Sequence, residues 1–165
     1  MAKVITFSRV FPKHHPKAGQ PTYFIEKGYK SLFLMKCVPP ELATDFNFAV
    51  MNDDNYKAKH HTIRNGNRWK VGDKFSPRVW SGKPYNSKQI ILSDDVKIEK
   101  IFNMKIEVEG NFYTAYIDGK NVNQEVMEMV AMNDGLSISE LYNWFNKSFE
   151  GQIICWSDSV SYGFR

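Results

Sequence analysis

Short apolar runs with a period of two dominate the chain, and turn residues separate them at close intervals. Residues 3–11 are β-branched and aromatic and read as an opening strand. Pro12 to Pro21, with two histidines, three prolines and Gly19, reads as a loop. A helix can begin in Pro21–Lys30 with Thr22 as its N-cap. Pro39-Pro40 breaks the chain, and residues 41–53 are ambiguous. Asn65-Gly66-Asn67 and Gly72-Asp73 mark turns. Residues 75–80 and 88–92 read as strands, 95–109 as one or two more, and 111–117 as another that ends at the hairpin turn Asp118-Gly119.

The period changes near the C-terminus. Val126, Met129 and Val130 recur at helical spacing within 123–132, and Asp134-Gly135 ends that helix. Ser137-Ile138-Ser139-Glu140 is a capping box opening a second helix, with Leu141, Trp144 and Phe145 on its apolar face. Residues 151–156 read as a last strand. Many short strands with two late helices predict an α+β domain, a small mixed β-barrel with helices packed on it.

Composition narrows the class. The chain has 165 residues, 42% hydrophobic and 15% aromatic, which fits one domain, 1–165, with a real core and excludes a disordered chain. No apolar run approaches the roughly 20 residues of a membrane helix, and the N-terminus lacks an apolar signal segment. Neither Cys37 nor Cys155 belongs to a CxxC pair, and Cys155 sits in an apolar strand pattern as a buried thiol, so a reducing, cytoplasmic setting is expected. The charge of +4, from 22 basic and 18 acidic residues, favours anionic partners only modestly.

Candidate chemistry gathers around Lys59-His60-His61-Thr62-Ile63-Arg64. A desolvated lysine can act as a base toward a threonine hydroxyl, and an arginine can hold an oxyanion or a phosphate. The bland alternative is a solvated strand edge. Trp69 and Trp80, interleaved with Arg68, Lys70, Arg78 and Lys83, form either a base-stacking surface or core rings among solvated bases. The pairs His14-His15 and His60-His61 stand at no familiar metal spacing and are expected at the solvent or a pocket rim, so no metal or cofactor is assigned. Trp144 and Trp156 are assigned to the core.

Lys59 through Arg64 resembles the K-x-x-T-I-R element of ASCH domains. The order of the other parts agrees: an Ile5-Thr6-Phe7 strand, a Val71-Gly72-Asp73 turn, Asp134-Gly135-Leu136 before the capped helix, and Gly151-Gln152 in the closing strand. These blocks cover roughly half the chain, while 12–55 and much of 81–120 stand as insertions relative to the minimal members. The resemblance implies a PUA-like fold that binds RNA, a nucleotide or a modified nucleoside, with Arg64, His61, Arg68, Trp69 and Trp80 as ligand-binding candidates. It is similar in particular to bacterial amidohydrolases of N4-acetylcytidine. That similarity implies a catalytic set of Lys59, Thr62 and Asp134, the last where those enzymes carry a Glu. Asp134 also reads simply as a turn residue between two helices.

Overall fold

A computed structural model describes residues 3–35 and 52–163. Cys37, the Pro39-Pro40 break and most of the ambiguous stretch 41–53 lie outside the described residues. Within them the chain forms β1 (Lys3–Phe7), α1 (Phe24–Leu34), β2 (His61–Asn65), β3 (Lys74–Trp80), β4 (Gln89–Ile91), β5 (Val96–Lys97), β6 (Lys100–Glu109), β7 (Phe112–Ile117), β8 (Lys120–Val122), α2 (Gln124–Asn133), α3 (Ile138–Trp144) and β9 (Phe149–Cys155). The fold is α+β, with the strands in two sheets.

Local chemistry explains most of these elements. In β6 the residues Phe102, Met104 and Ile106 are buried and Asn103 and Lys105 exposed, the alternation of a strand with one wet face. The turn from β7 to β8 places Asp118 at φ 49° and Gly119 at φ 78°, the paired positive angles of a type I′ hairpin. Asn123 caps α2 by accepting from Val126 N at 3.0 Å. Ser137 and Glu140 form both bonds of the predicted capping box on α3. The helix of the 21–30 region begins at Phe24, one turn position later than Thr22 suggests. Tyr23 is its N-cap, at φ 59°, while the Thr22 hydroxyl donates to Ser8 O at 2.7 Å and accepts from Phe24 N at 3.3 Å.

The first sheet sets β1 parallel to β3, from Lys3 opposite Phe75 to Phe7 opposite Val79; β4 and β5 share the other edge of β3. The second sheet is antiparallel, in the order β2-β9-β6-β7-β8. The chain crosses from one sheet to the other after β5, where Glu99 N donates to Cys155 O at 2.8 Å. At the opposite corner no ladder joins β1 to β2 among the described residues. Arg64 spans that gap instead, with Nη2 donating to Thr6 O at 2.6 Å. The closed barrel expected from the sequence is therefore not formed: a side chain stands where a strand-to-strand ladder would close it, and the seam stays open.

Trp156, directly after β9, fastens the sheets together. Its ring stacks on Phe7 at 5.8 Å and meets Phe75 at 5.7 Å, while Nε1 donates to Ser31 Oγ of α1 at 2.6 Å. The core assignment of Trp156 holds, and Cys155 is buried as expected. No helix among the described residues is long and apolar enough to cross a membrane.

The β2–β9 pair that carries Arg64 leaves no room at Gly151. A Cβ there would fall on the Arg64 carbonyl oxygen and within 2.6 Å of Phe149 Cζ, whereas at Gly82 it would meet only Ser87, with Cβ at 3.5 Å and Oγ at 3.7 Å. Gly151→Ala is expected to destabilise the protein by about 1–3 kcal/mol through overpacking, with Gly82→Ala close to neutral. Urea unfolding midpoints of the two variants test this; equal midpoints would remove the steric account.

Candidate functional site

Lys59 lies just ahead of β2, where the backbone threads between two helices. Its N–H donates to Lys27 O of α1 at 2.9 Å, and the N–H of His60 donates to Asn133 O at the end of α2 at 2.7 Å. This path buries Lys59, leaving it 1% exposed. Its ammonium donates to Asp134 Oδ1 at 2.6 Å and to Asp134 O at 3.1 Å, and it stands 4.1 Å from the centre of the Phe24 ring and 5.2 Å from that of Phe7. Rings at that range attract a cation electrostatically.

Asp134 is the turn residue between two helices that the sequence allows, and it also lines a small cavity. As the C-cap of α2 it closes a Schellman motif: Gly135 N donates to Met132 O at 3.0 Å and Leu136 N to Ala131 O at 2.9 Å. Gly135 takes φ 76°, and a Cβ there would lie 3.0 Å from Lys27 Cδ and 3.5 Å from Lys59 Cβ, so glycine serves both the angle and the close approach of the lysines. A carboxylate at a helix C-terminus is electrostatically misplaced, since the macrodipole is negative there. Lys59 corrects this by binding the side chain and the terminal carbonyl together. Lys27 adds a second cation to the same corner, its Nζ 2.6 Å from Gly135 O.

Thr62 and Arg64 share one face of β2, two residues apart. Thr62 is 4% exposed. With Lys59 and Asp134 they line a cavity of about 100 Å³ at the open seam, whose remaining walls include Phe7, Phe24, Trp144 and Phe145. Arg64 Nε is buried with no hydrogen-bond partner among the described residues, and Asp134 is held through Oδ1. The motif residues Lys59, Thr62, Arg64 and Asp134 are thus brought together.

The other candidates are placed elsewhere. His61 faces away from Thr62 and is fully buried, not at a rim: Nδ1 stands 3.5 Å from Asp134 Oδ1, longer than a full hydrogen bond, and Nε2 is 2.6 Å from Tyr162 Oη. His15 is also buried, with Nε2 3.1 Å from Glu140 O. Trp69 is 3% exposed, with its N–H and carbonyl both bonded to the Gln152 amide, so it has no open face for a base. Arg68 is exposed and lies 5.2 Å over the Trp69 ring. Trp80 is half-buried against Tyr85. None of these three lines the cavity. The aromatic walls were not foreseen. Trp144 and Phe145 did show as an apolar helix face, but nothing local marks Phe7 or Phe24 as neighbours of Lys59.

A larger concavity of about 750 Å³ lies over β6 and β7. Its charges are exposed and partly self-paired, as in Lys105–Glu107 at 2.7 Å, and it contains none of the motif residues. The small cavity is the chemically distinctive one. Burial pulls the Lys59 pKa down, opposed by the Asp134 charge. Burial pushes Asp134 up, but the Lys59 ammonium and His61 hold it below the ordinary carboxylate value. Burial lowers both His60 and His61. Perturbed groups of this kind in a cleft mark a functional-site candidate. No family model, characterised protein or solved structure matches the chain.

These shifts fix how stability varies with pH. Asp134, lowered in the folded state, stabilises above the unfolded value of about 3.9, and that contribution is lost as pH falls through the folded value. His60 and His61 are also lowered, so below about pH 6.5 the unfolded chain takes protons that the folded one refuses. Lys59 acts in alkali, in a window opening downward from about pH 10.4. Urea midpoints are expected to fall from pH 7.5 to pH 5, and to fall less in His61→Asn. A flat profile over that range would contradict the burial of both histidines.

Proposed function

We propose that the seam cavity is the base pocket of an ASCH-type RNA- or nucleotide-binding domain that takes a modified pyrimidine nucleoside. The observation that carries this reading is the meeting of Lys59, Thr62, Arg64 and Asp134 around one small cavity, with the buried Arg64 Nε left unpartnered among the described residues. Size limits the occupant. One water needs roughly 10–15 Å³ on this measure, so about 100 Å³ holds one heterocycle and not a whole nucleotide. Sugar and phosphate are left outside the mouth. The groups on offer are an acceptor at Asp134 Oδ2, a donor at Arg64 and a hydroxyl at Thr62 that does either, set among aromatic rings. This inventory suits the pairing edge of a pyrimidine, and an aspartate accepting from an exocyclic cytosine amine is a recurrent pairing.

A second reading, amide hydrolysis of N4-acetylcytidine-like nucleosides, is favoured by the presence of Thr62 beside the Lys59–Asp134 pair in one cavity. Asp134 is one methylene shorter than the Glu of the resembled enzymes, yet it still reaches Lys59 at 2.6 Å. In this chemistry Thr62 Oγ1 attacks the acyl carbon and yields its proton to the free-amine form of Lys59, while Arg64 holds the oxyanion. The C–N bond breaks as that proton passes, through Asp134, to the departing N4, and water then releases acetate from the threonine ester. Burial brings the amine form of Lys59 closer to neutral pH than in an exposed lysine.

Calorimetric titration with N4-acetylcytidine, cytidine and uridine tests the pocket, and chromatography of the N4-acetylcytidine sample for cytidine tests the chemistry. Binding of the modified nucleoside is expected, weakened roughly 3- to 10-fold in Thr62→Val, which removes about 1 kcal/mol of hydrogen bonding without breaking any bond seen in the fold. In short single-stranded RNA carrying the same base, affinity should also fall as salt rises. Absence of binding to all three nucleosides at millimolar concentration would refute the pocket reading.

A further inference from the structure

We infer that His61 and Tyr162 are positioning residues for the pocket carboxylate: the buried series Tyr162–His61–Asp134–Lys59 fixes Asp134 so that Oδ1 is held by the protein and Oδ2 alone faces the cavity. The role of Oδ2 toward a ligand rests on the function proposed above; the series itself does not. His61 Nε2 lies 2.6 Å from Tyr162 Oη, and Asn133 Nδ2 donates to the same oxygen at 3.3 Å. On its other side Nδ1 stands 3.5 Å from Asp134 Oδ1, the atom that Lys59 binds at 2.6 Å. All four members are buried.

The tautomer follows from electrostatics. With its proton on Nδ1, the ring turns N–H toward the carboxylate, 3.5 Å away and short of a full hydrogen bond, and a lone pair toward the Tyr162 hydroxyl, so the charges are complementary on both sides. With its proton on Nε2, the Nδ1 lone pair faces a carboxylate oxygen in a dry interior, where repulsion is poorly screened. The tyrosine therefore acts on Asp134 only through the imidazole, by holding the proton on the nitrogen that points to the carboxylate. Tyr162 is itself held firmly: its ring meets Phe102 at 5.1 Å, and Lys100 Nζ donates to Val160 O at 2.8 Å in the same terminal segment. Asp134 and Lys59 at one nitrogen, Tyr162 at the other, Cys155 across the β2–β9 pair and His60 next in sequence are the titratable groups around the ring. Burial disfavours the imidazolium. An isosteric apolar residue would fill the site equally well but would leave the carboxylate held by Lys59 alone.

The test uses the full chain, labelled with ¹⁵N and ¹³C. Ring nitrogen shifts at pH 7 are expected to show His61 neutral and protonated on Nδ1, and Tyr162→Phe, which keeps the packing, to move it toward a mixture of tautomers. The ¹³C-observed titration of the Asp134 carboxyl is expected to shift upward in His61→Leu and to stay near wild type in His61→Asn, whose amide can still donate. N4-acetylcytidine binding should weaken about tenfold in the Leu variant and less than threefold in the Asn variant. An Nε2–H tautomer, an imidazolium at pH 7, a Tyr162→Phe ring unchanged from wild type, or equal Asp134 titrations in the Leu and Asn variants would overturn the proposal. A wild type with the Nδ1–H ring and the shifted Asp134 titration that binds no nucleoside would support the positioning series and refute the pocket reading alone.

Discussion

The contact between Lys59 and Asp134 organises this molecule, because it is an ion pair taken almost wholly out of water. The isolated charges would each cost several kcal/mol to bury, and removing one partner leaves the other uncompensated. The fold meets that cost with geometry. Asp134 Oδ1 and the carbonyl of the same residue both accept from the ammonium, two phenyl rings lie over it, and the negative end of α2 is aimed at it. The pair joins residues 75 positions apart, and so locks the entry of β2 to the corner between α2 and α3. Whatever happens in the cavity happens against this fixed wall.

The second constraint is the missing ladder between β1 and β2. Had those strands paired, the backbone would have filled the space that the cavity now occupies. The Arg64 guanidinium instead takes the Thr6 carbonyl, which keeps the two edges tied while holding them apart. Gly151 permits this arrangement from behind, since any side chain there would push β9 off the Arg64 backbone. Pocket and seam are one feature: a two-sheet fold joined on one side by the chain crossing from β5 to β6 and tied on the other by a side chain.

Features set by neighbouring residues were legible in the sequence. The capping box at Ser137–Glu140, the I′ turn at Asp118-Gly119 and the alternation in β6 each depend on a few consecutive side chains, and each appears where the pattern puts it. Of the candidate site, Lys59, Thr62, Arg64 and Asp134 were named and do converge. Their aromatic surroundings were not. Phe24 comes from α1 within the stretch that reads as an insertion, Phe7 from the end of β1, and Trp144 from α3, so their common wall is a property of tertiary packing. Trp69 and His61 show the same limit in reverse. Both are ligand-binding candidates by sequence, Trp69 with a core ring as its alternative reading, and both are buried: Gln152 holds the first and Tyr162 the second, from 83 and 101 residues away. A strand's alternation tells which residues share a face, and not whether that face is wet.

A buried ion pair is by itself weak grounds for a site, because structural pairs perturb pKa values in the same way. What separates this one is the state of its surroundings. A pair kept for stability alone is expected to have its remaining lone pairs satisfied, since each unsatisfied buried polar group costs about 1–3 kcal/mol. Here Arg64 Nε is buried without a partner among the described residues, and the polar residues Thr62, Arg64 and Asp134 border one small space. Apolar side chains at these positions would satisfy packing at lower cost. Polar groups left waiting around a cavity make physical sense when something polar enters it, and the size of that space confines the visitor to about one ring.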